Sequence, residues 1–284
     1  MAEAVADRLG GDIVSADSMQ AYEGLPILTA QPARPTRLVG IWPLTHEGSV
    51  AEYAELAHAE IDALLADGRP PIVAGGTGLY LRAALADLGV PPAPTREQRA
   101  HWERVYDRLG PEHAHAALRE RDPDAAARVH ANDRRRVVRA LELTELGSSL
   151  RPEADRLWNA ETRHPTIMFG LEVPREVLTE RIELRSRQMF DAGVVAEAQA
   201  ALAAGVSSTA VHALGLREVV DLPEDEALAA LVLRTRRYAA YQRKWMRRLP
   251  GLVSVNADRP PGEVADEIVE VERARQRVPA GRAG

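Results

Sequence analysis

The chain has 284 residues, 45% of them hydrophobic and 27% charged, with a formal net charge of −6 and no cysteine. That length suits one large domain or a core carrying a smaller insert, and the missing thiols exclude a disulfide framework, thiolate zinc sites and a cysteine nucleophile. No window approaches the ~18 consecutive apolar residues of a membrane span, and residues 1–4 lack the basic and apolar regions of a signal peptide, so a cytoplasmic protein is expected.

Taken in order, Ala2 to Leu9 reads as a helix closed by Gly10-Gly11, and Ile13 to Ala16 as a short buried strand. A second strand is predicted at Leu38 to Trp42, ended by Pro43. Ser49-Val50-Ala51-Glu52 has the form of a capping box, in which each side chain satisfies a free backbone donor. The helix it opens carries Tyr53, Ala57, Ile61 and Leu64 on one stripe. Pro71 to Ala74 is a third strand, running into Gly75-Gly76-Thr77-Gly78 and another helix. This rhythm predicts a parallel sheet.

The rhythm breaks at Gly89 to Pro94, and residues 95–164 show helical patterns only. Asn132 or Asp133 is placed to cap a helix through Val137, Val138 and Leu141. Strand character returns at Thr166 to Leu171, and Pro174 suits the first turn of the next helix. A helix of roughly 36 Å follows from Leu222 to about Arg247. A late strand is predicted over 251–255, a last helix over Glu263 to Arg275, and a frayed end over 278–284. The division is a core over 1–94 and 165–256, a helical insertion over 95–164, and a C-terminal helix and tail over 257–284.

Asp17-Ser18 and Thr77 each follow a strand directly, where open α/β sheets bind ligands. Asp17 suits proton acceptance or metal binding, or it only caps the next turn. The Gly75–Gly78 turn lets a ligand approach the backbone, or it is a tight turn with Thr77 as a helix cap.

The charge is uneven. Between Leu231 and Pro250 lie six arginines and Lys244, the chain's only lysine, with no acid, so an anion site is expected there. Arg234, Arg237, Tyr241, Lys244 and Arg248 share one side of this helix. A second patch, Arg134-Arg135-Arg136 with Arg139, lies in the helical region, and two patches favour a long polyanion over a small phosphate. Tyr238, Tyr241 and Trp245 either stack on bases or belong to the core. Arg181 and Arg185, at i, i+4, either grip a diphosphate or pair with Glu180 or Glu183. The eight histidines form no metal pattern, and no G-x-x-x-x-G-K-[ST] loop is present because Trp245 follows the lone lysine.

Ala16 to Tyr22, Gly24-Leu25-Pro26, Val73 to Tyr80 and Asn132 to Glu142 together resemble the tRNA dimethylallyltransferase (isopentenyltransferase) family, with weaker matches at Arg181 to Arg185, Ala213 to Glu218 and Arg234 to Trp245. The resemblance implies an α/β fold: a P-loop-NTPase-like parallel sheet core with an inserted all-helical domain. It implies transfer of a dimethylallyl group from dimethylallyl diphosphate to N6 of the adenosine beside the anticodon, in tRNAs reading codons that begin with U. Asp17 would take the amine proton and Thr77 would orient the amine. Ser18, Met19 and Gln20 would line the base pocket, and Arg185 would stabilise the leaving diphosphate with Mg2+ screening its charge. Arg99, Arg135, Arg136, Arg139, Arg217, Gln242, Arg243, Lys244 and Arg247 would hold the tRNA, and the protein would act as a monomer.

The family opens with a strand and a phosphate-binding loop ahead of the helix that starts this chain, so the resemblance implies a shortened N-terminus and an inactive form until that loop is restored. Ala240-Tyr241 also stands where the family usually has Lys-Arg. Two other readings stay open: a non-catalytic RNA-binding remnant, and a transferase acting on free adenine nucleotides.

Overall fold

Of the short apolar runs bounded by glycine or proline, those before Gly75 and after Gly11 become strands, and apolar stripes at helical spacing become helices. The computed structural model describes residues 1–91, 93–150 and 157–277. The tail expected to fray lies outside them, as does Pro92 in the break expected at 89–94. The chain divides into Met1–Ala86 with Trp158–Gly284, and Asp87–Leu157.

In the first unit, α1 (Ala2–Leu9) ends at Gly10 in the left-handed conformation, φ 64°, and leads into β1 (Asp12–Ser15). Then come α2 (Val50–Ala66), β2 (Pro71–Ala74) and α3 (Gly78–Leu85). β1 pairs in parallel with β2, Ile13 opposite Ile72 and Val14 opposite Val73. The predicted strand at 38–42 does not form. Leu38 takes a positive φ of 63° and Gly40 one of 62°, which breaks an extended run, and only isolated bridges remain, Val14 to Arg37 and Tyr22 to Trp42. The capping box at Ser49 forms by half. Ser49 accepts from the Glu52 N–H at 3.1 Å, but the Glu52 carboxylate meets His46 Nε2 at 2.8 Å instead of turning back.

The second unit, residues 87–157, holds α4 (Arg96–Leu109), α5 (Pro111–Arg121), the single turn α6 (Pro123–Ala126) and α7 (Arg134–Glu145). A complete capping box, Thr95 with Gln98, starts α4, and Asp133 caps α7 by accepting from the Arg136 N–H at 3.1 Å. Trp102, Tyr106, Leu118, Val137 and Leu141 form this unit's own core. Fully burying one such side chain stabilises by about 1.5–3 kcal/mol.

The remaining elements return to the first unit: β3 (Phe169–Glu172), α8 (Arg175–Asp191), α9 (Val194–Ala204), α10 (Leu216–Asp221), α11 (Glu224–Met246), β4 (Val253–Asn256) and α12 (Pro261–Arg277). The chain rejoins this unit before strand character resumes. The Arg163 N–H donates to Leu85 O at 2.8 Å, and Arg82, fully buried on α3, donates to Asn159 Oδ1 and Glu161 O at 3.2 Å. β3 pairs in parallel with β4. The described strands thus make two parallel pairs, not one continuous sheet. One apolar cluster serves both, with Val5 of α1 and Val264 and Ile268 of α12 packed beside Ile72 and Phe169. No described helix is long and apolar enough to cross a membrane.

Candidate active site

Parallel pairing of β1 with β2 brings the two strand ends side by side, and the chemistry-bearing residues follow both. Past β1, Asp17 turns the chain: its Oδ1 accepts from the Met19 N–H at 2.9 Å and the Gln20 N–H at 3.4 Å. Past β2, Gly75 runs so close that an added Cβ would lie 2.2 Å from Ala16 O. A Cβ on Gly76 would come 3.8 Å from Asp17 Oδ2, the oxygen that the turn leaves unused. Thr77 precedes α3, yet its hydroxyl makes no cap bond to that helix. It accepts instead from the Ser18 N–H at 3.3 Å and lies 3.3 Å from Ser18 Oγ. A carboxylate and a hydroxyl 60 positions apart therefore converge on one spot, with Asp17 retaining its capping role through one oxygen.

α11 closes over this turn with Tyr238, Gln242 and Trp245, the i, i+4, i+7 stripe of one face. Tyr238 OH lies 3.2 Å from both Thr77 Oγ1 and Gly76 O, and Gln242 Nε2 donates to Gly76 O at 3.0 Å. Trp245 sits where a Cβ on Gly78 would meet its ring at 2.3 Å. It packs on Trp158 at 4.5 Å between centroids, and the Arg248 guanidinium lies 3.6 Å over Trp158. Tyr238 and Trp245 are thus packing residues, whereas Tyr241 is 54% exposed.

Burial raises the Asp17 pKa above the usual aspartate range, against the lowering effect of the Met19 and Gln20 N–H groups. Burial also raises Tyr53, Tyr80 and Tyr238, with the Asp17 charge adding to each, so this carboxylate stands among neutral phenols. Tyr53 OH supports the site from α2 by donating to Ser15 O at 2.8 Å. Of these phenols the sequence points to Tyr238 alone as a base-stacking or core residue; Tyr53 is legible only as part of an apolar stripe, and Tyr80 only as the end of the Val73 to Tyr80 segment.

The other candidates fall into groups. Ser18 faces Thr77, while Met19 packs against the cluster of Leu25, Leu28 and Leu216. The Gln20 amide braces the loop, donating to Thr29 O and Ala30 O and meeting Ser15 Oγ at 3.1 Å. On α8, Arg181 pairs with Asp258 at 2.8 Å, in place of the expected pairing with Glu180 or Glu183. A partner from a distant loop outcompetes its helix neighbours. Arg185 has an exposed edge and no ion pair among the described residues, and the protein atoms around it displace enough water to lower its pKa.

Within the helical unit, Arg134 is consumed by a bidentate pair with Asp107, both contacts at 2.8 Å. Arg135 is exposed, and Arg136 reaches Asp133 at 3.7 Å. Arg99 and Arg139 both lean on Glu142, at 3.4 and 3.2 Å, and that carboxylate is 2% exposed. Arg217, Lys244 and Arg247 are exposed on the first unit, and Arg243 is half-buried there. Among the described residues, no three His, Asp or Glu side chains group to hold a metal ion.

Residues 20–249 match the sequence profile of the IPP transferase family, and the chain belongs to that family. Its relatives include the tRNA dimethylallyltransferase of Streptomyces griseus, 42% identical over 257 residues that cover 86% of this chain and 81% of that protein. The tRNA dimethylallyltransferase of Salinispora arenicola is 39% identical over 284 residues, 95% of this chain and 82% of that one. The crystal structure of the tRNA isopentenylpyrophosphate transferase of Bacillus halodurans superposes with a TM-score of 0.69 at 30% identity, over 96% of this chain and 91% of that one. A eukaryotic dimethylallyltransferase acting on tRNA shares the fold, with a TM-score of 0.75 at 21% identity, over 97% of this chain and 76% of that one. The resemblance carried by the Asp17, Gly75–Tyr80 and Asn132–Glu142 segments is borne out.

Proposed function

We infer that the chain is a tRNA dimethylallyltransferase, moving a dimethylallyl group from its diphosphate to N6 of an adenosine beside the anticodon. The observation that carries this reading is the meeting of the Asp17 carboxylate with the Thr77 hydroxyl at two adjacent strand ends, beneath the cationic helix α11. The amine nitrogen attacks the allylic carbon, the carbon–oxygen bond to the diphosphate breaks, and the amine proton passes to Asp17. Oδ2 suits this task because the turn occupies only Oδ1, and a base buried among phenols gains from accepting a proton. Thr77 Oγ1, steadied by the Ser18 N–H and Tyr238, orients the amine. Ser18 and Met19 border the base, and Gln20 shapes that pocket by bracing its loop.

Arg185 on α8, without an ion pair among the described residues, serves the departing diphosphate. Magnesium enters only as an ion carried on diphosphate oxygens, in the manner of sites that pair substrate phosphates with few carboxylates. The described residues offer it no cage, and no step of the transfer is assigned to it. Arg99, Arg135, Arg136, Arg139, Arg217, Gln242, Arg243, Lys244 and Arg247 are read as the tRNA contacts. Gln242 acts partly through the Gly76 carbonyl it holds. Parallel strands joined through helices, with the site at their C-terminal ends, support a P-loop-NTPase-like core.

The test is transfer of labelled dimethylallyl from its diphosphate to an anticodon stem-loop, with AMP as the competing acceptor. Label on the stem-loop and none on AMP is the expected result. Label on AMP alone makes the chain a nucleotide transferase, and salt-sensitive RNA binding without label makes it a binding protein.

A further inference from the structure

We propose that the groove between α8 and α11 is a binding site for the phosphate backbone of RNA, on the side of α11 turned away from the Gly75–Gly78 turn. The proposal rests on the tRNA reading and extends the contact from α11 onto the N-terminal half of α8. The groove has a volume of about 330 Å³, and its polar lining is dominated by Arg175, Arg236, Arg243, Lys244 and Arg247. No carboxylate lines it. Leu178, Ile182, Ala239 and Ala240 supply the aliphatic part of the wall, and Thr179 adds a hydroxyl.

Several arginines elsewhere are matched to acids, among them Arg8 to Asp266, Arg34 to Asp7, Arg134 to Asp107, Arg181 to Asp258, Arg234 to Glu218 and Arg259 to Glu267, while Arg185 has no ion pair among the described residues. The five groove cations have no ion pair or hydrogen-bond partner for their charged groups among the described residues. Glu176, Glu180 and Glu183 line an adjoining depression with Arg175 and Arg236 but bond to neither. Five like charges facing one groove repel until an anion enters.

Length selects the anion. Arg236, Arg243 and Arg247 stand at i, i+7 and i+11, so the cationic row runs about 16 Å along α11. One phosphate or diphosphate is shorter than that row, whereas a nucleic-acid strand repeats its phosphates along it. α11 thus divides its labour. One face, with Tyr238, Gln242 and Trp245, holds the catalytic turn, and the other, with Arg236, Arg243 and Arg247, faces α8 across the groove.

Arg175 and Arg236 have no part in the proposed chemistry, so Arg175→Gln/Arg236→Gln isolates the groove. Binding of a labelled anticodon stem-loop to the full chain would be measured between 50 and 200 mM salt. The expected result is affinity about an order of magnitude weaker and a log–log salt slope lower by about 2, one per cation removed. The single-turnover transfer rate at saturating RNA stays as in the wild type, and Arg175→Lys/Arg236→Lys restores both affinity and slope. Wild-type affinity and slope in the Gln variant, with its melting temperature unchanged, would overturn the proposal. So would loss of competition by inorganic diphosphate with RNA binding intact, which would assign the groove to the donor. A wild-type chain that neither binds nor modifies the stem-loop removes the tRNA reading and the groove with it.

Discussion

Asp17 carries opposite demands from stability and catalysis. Because burial raises its pKa, the folded chain holds the Asp17 proton more tightly than the unfolded chain does. The stability this group contributes is full below the unfolded carboxylate range and is lost as pH rises through the raised folded value. Catalysis needs the ionised form, so transfer should climb with pH along an ionisation lying above that of an ordinary aspartate. Asp17→Asn should remove that limb and slow transfer by about 10²-fold or more. It should melt no lower than the wild type at neutral pH, because the amide oxygen can still accept from the Met19 N–H. A pH–rate profile beside a pH series of melting curves checks both, and an unchanged rate removes Asp17 from its role. Glu142 makes a second case. Its carboxylate holds Arg99 and Arg139, so Glu142→Gln should raise KM for tRNA with little change in kcat. The stability cost should be about 1–3 kcal/mol, read by thermal melting.

At the scale of elements, the site depends on how closely the two strand ends approach. Gly75→Ala would set a Cβ 2.2 Å from a backbone oxygen of the neighbouring strand end, where no flexible side chain can yield. The predicted cost is about 1–3 kcal/mol, and transfer should fall further than stability because Asp17 and Thr77 are moved apart. Gly78→Ala meets the Trp245 ring instead, at 2.3 Å, and should loosen α11 from the turn, visible as a change in tryptophan fluorescence. The elements themselves were largely legible. Capping residues and apolar stripes mark α2 and α7, acids in the first turn and cations in the last mark α11, and the run before Gly75 marks β2. The failure at 38–42 has a local cause: apolar character predicts burial, and Leu38 is indeed buried, but its backbone conformation is set by the loop it sits in.

For the whole molecule, the helical unit carries a core of its own, which gives it a stability of its own. Leu118→Ala should cost about 2–5 kcal/mol there. Hydrogen exchange should speed up across Arg96–Glu145 while amides of β1 and β2 stay protected; uniform exchange over both units would mean a single cooperative structure. The amino-acid order by itself determined the family, the helical insertion between stretches of α/β character, and the two strand ends that carry Asp17 and Thr77. These are local signals of spacing, capping and turn chemistry. What only the tertiary structure decided is which groups meet: Thr77 with Ser18 instead of its own helix, Arg181 with Asp258, Arg99 and Arg139 on one buried carboxylate, and five cations along a groove without ion-pair partners among the described residues. A side chain's partner is set by distances between residues far apart in the chain, and no pattern within a local window encodes those.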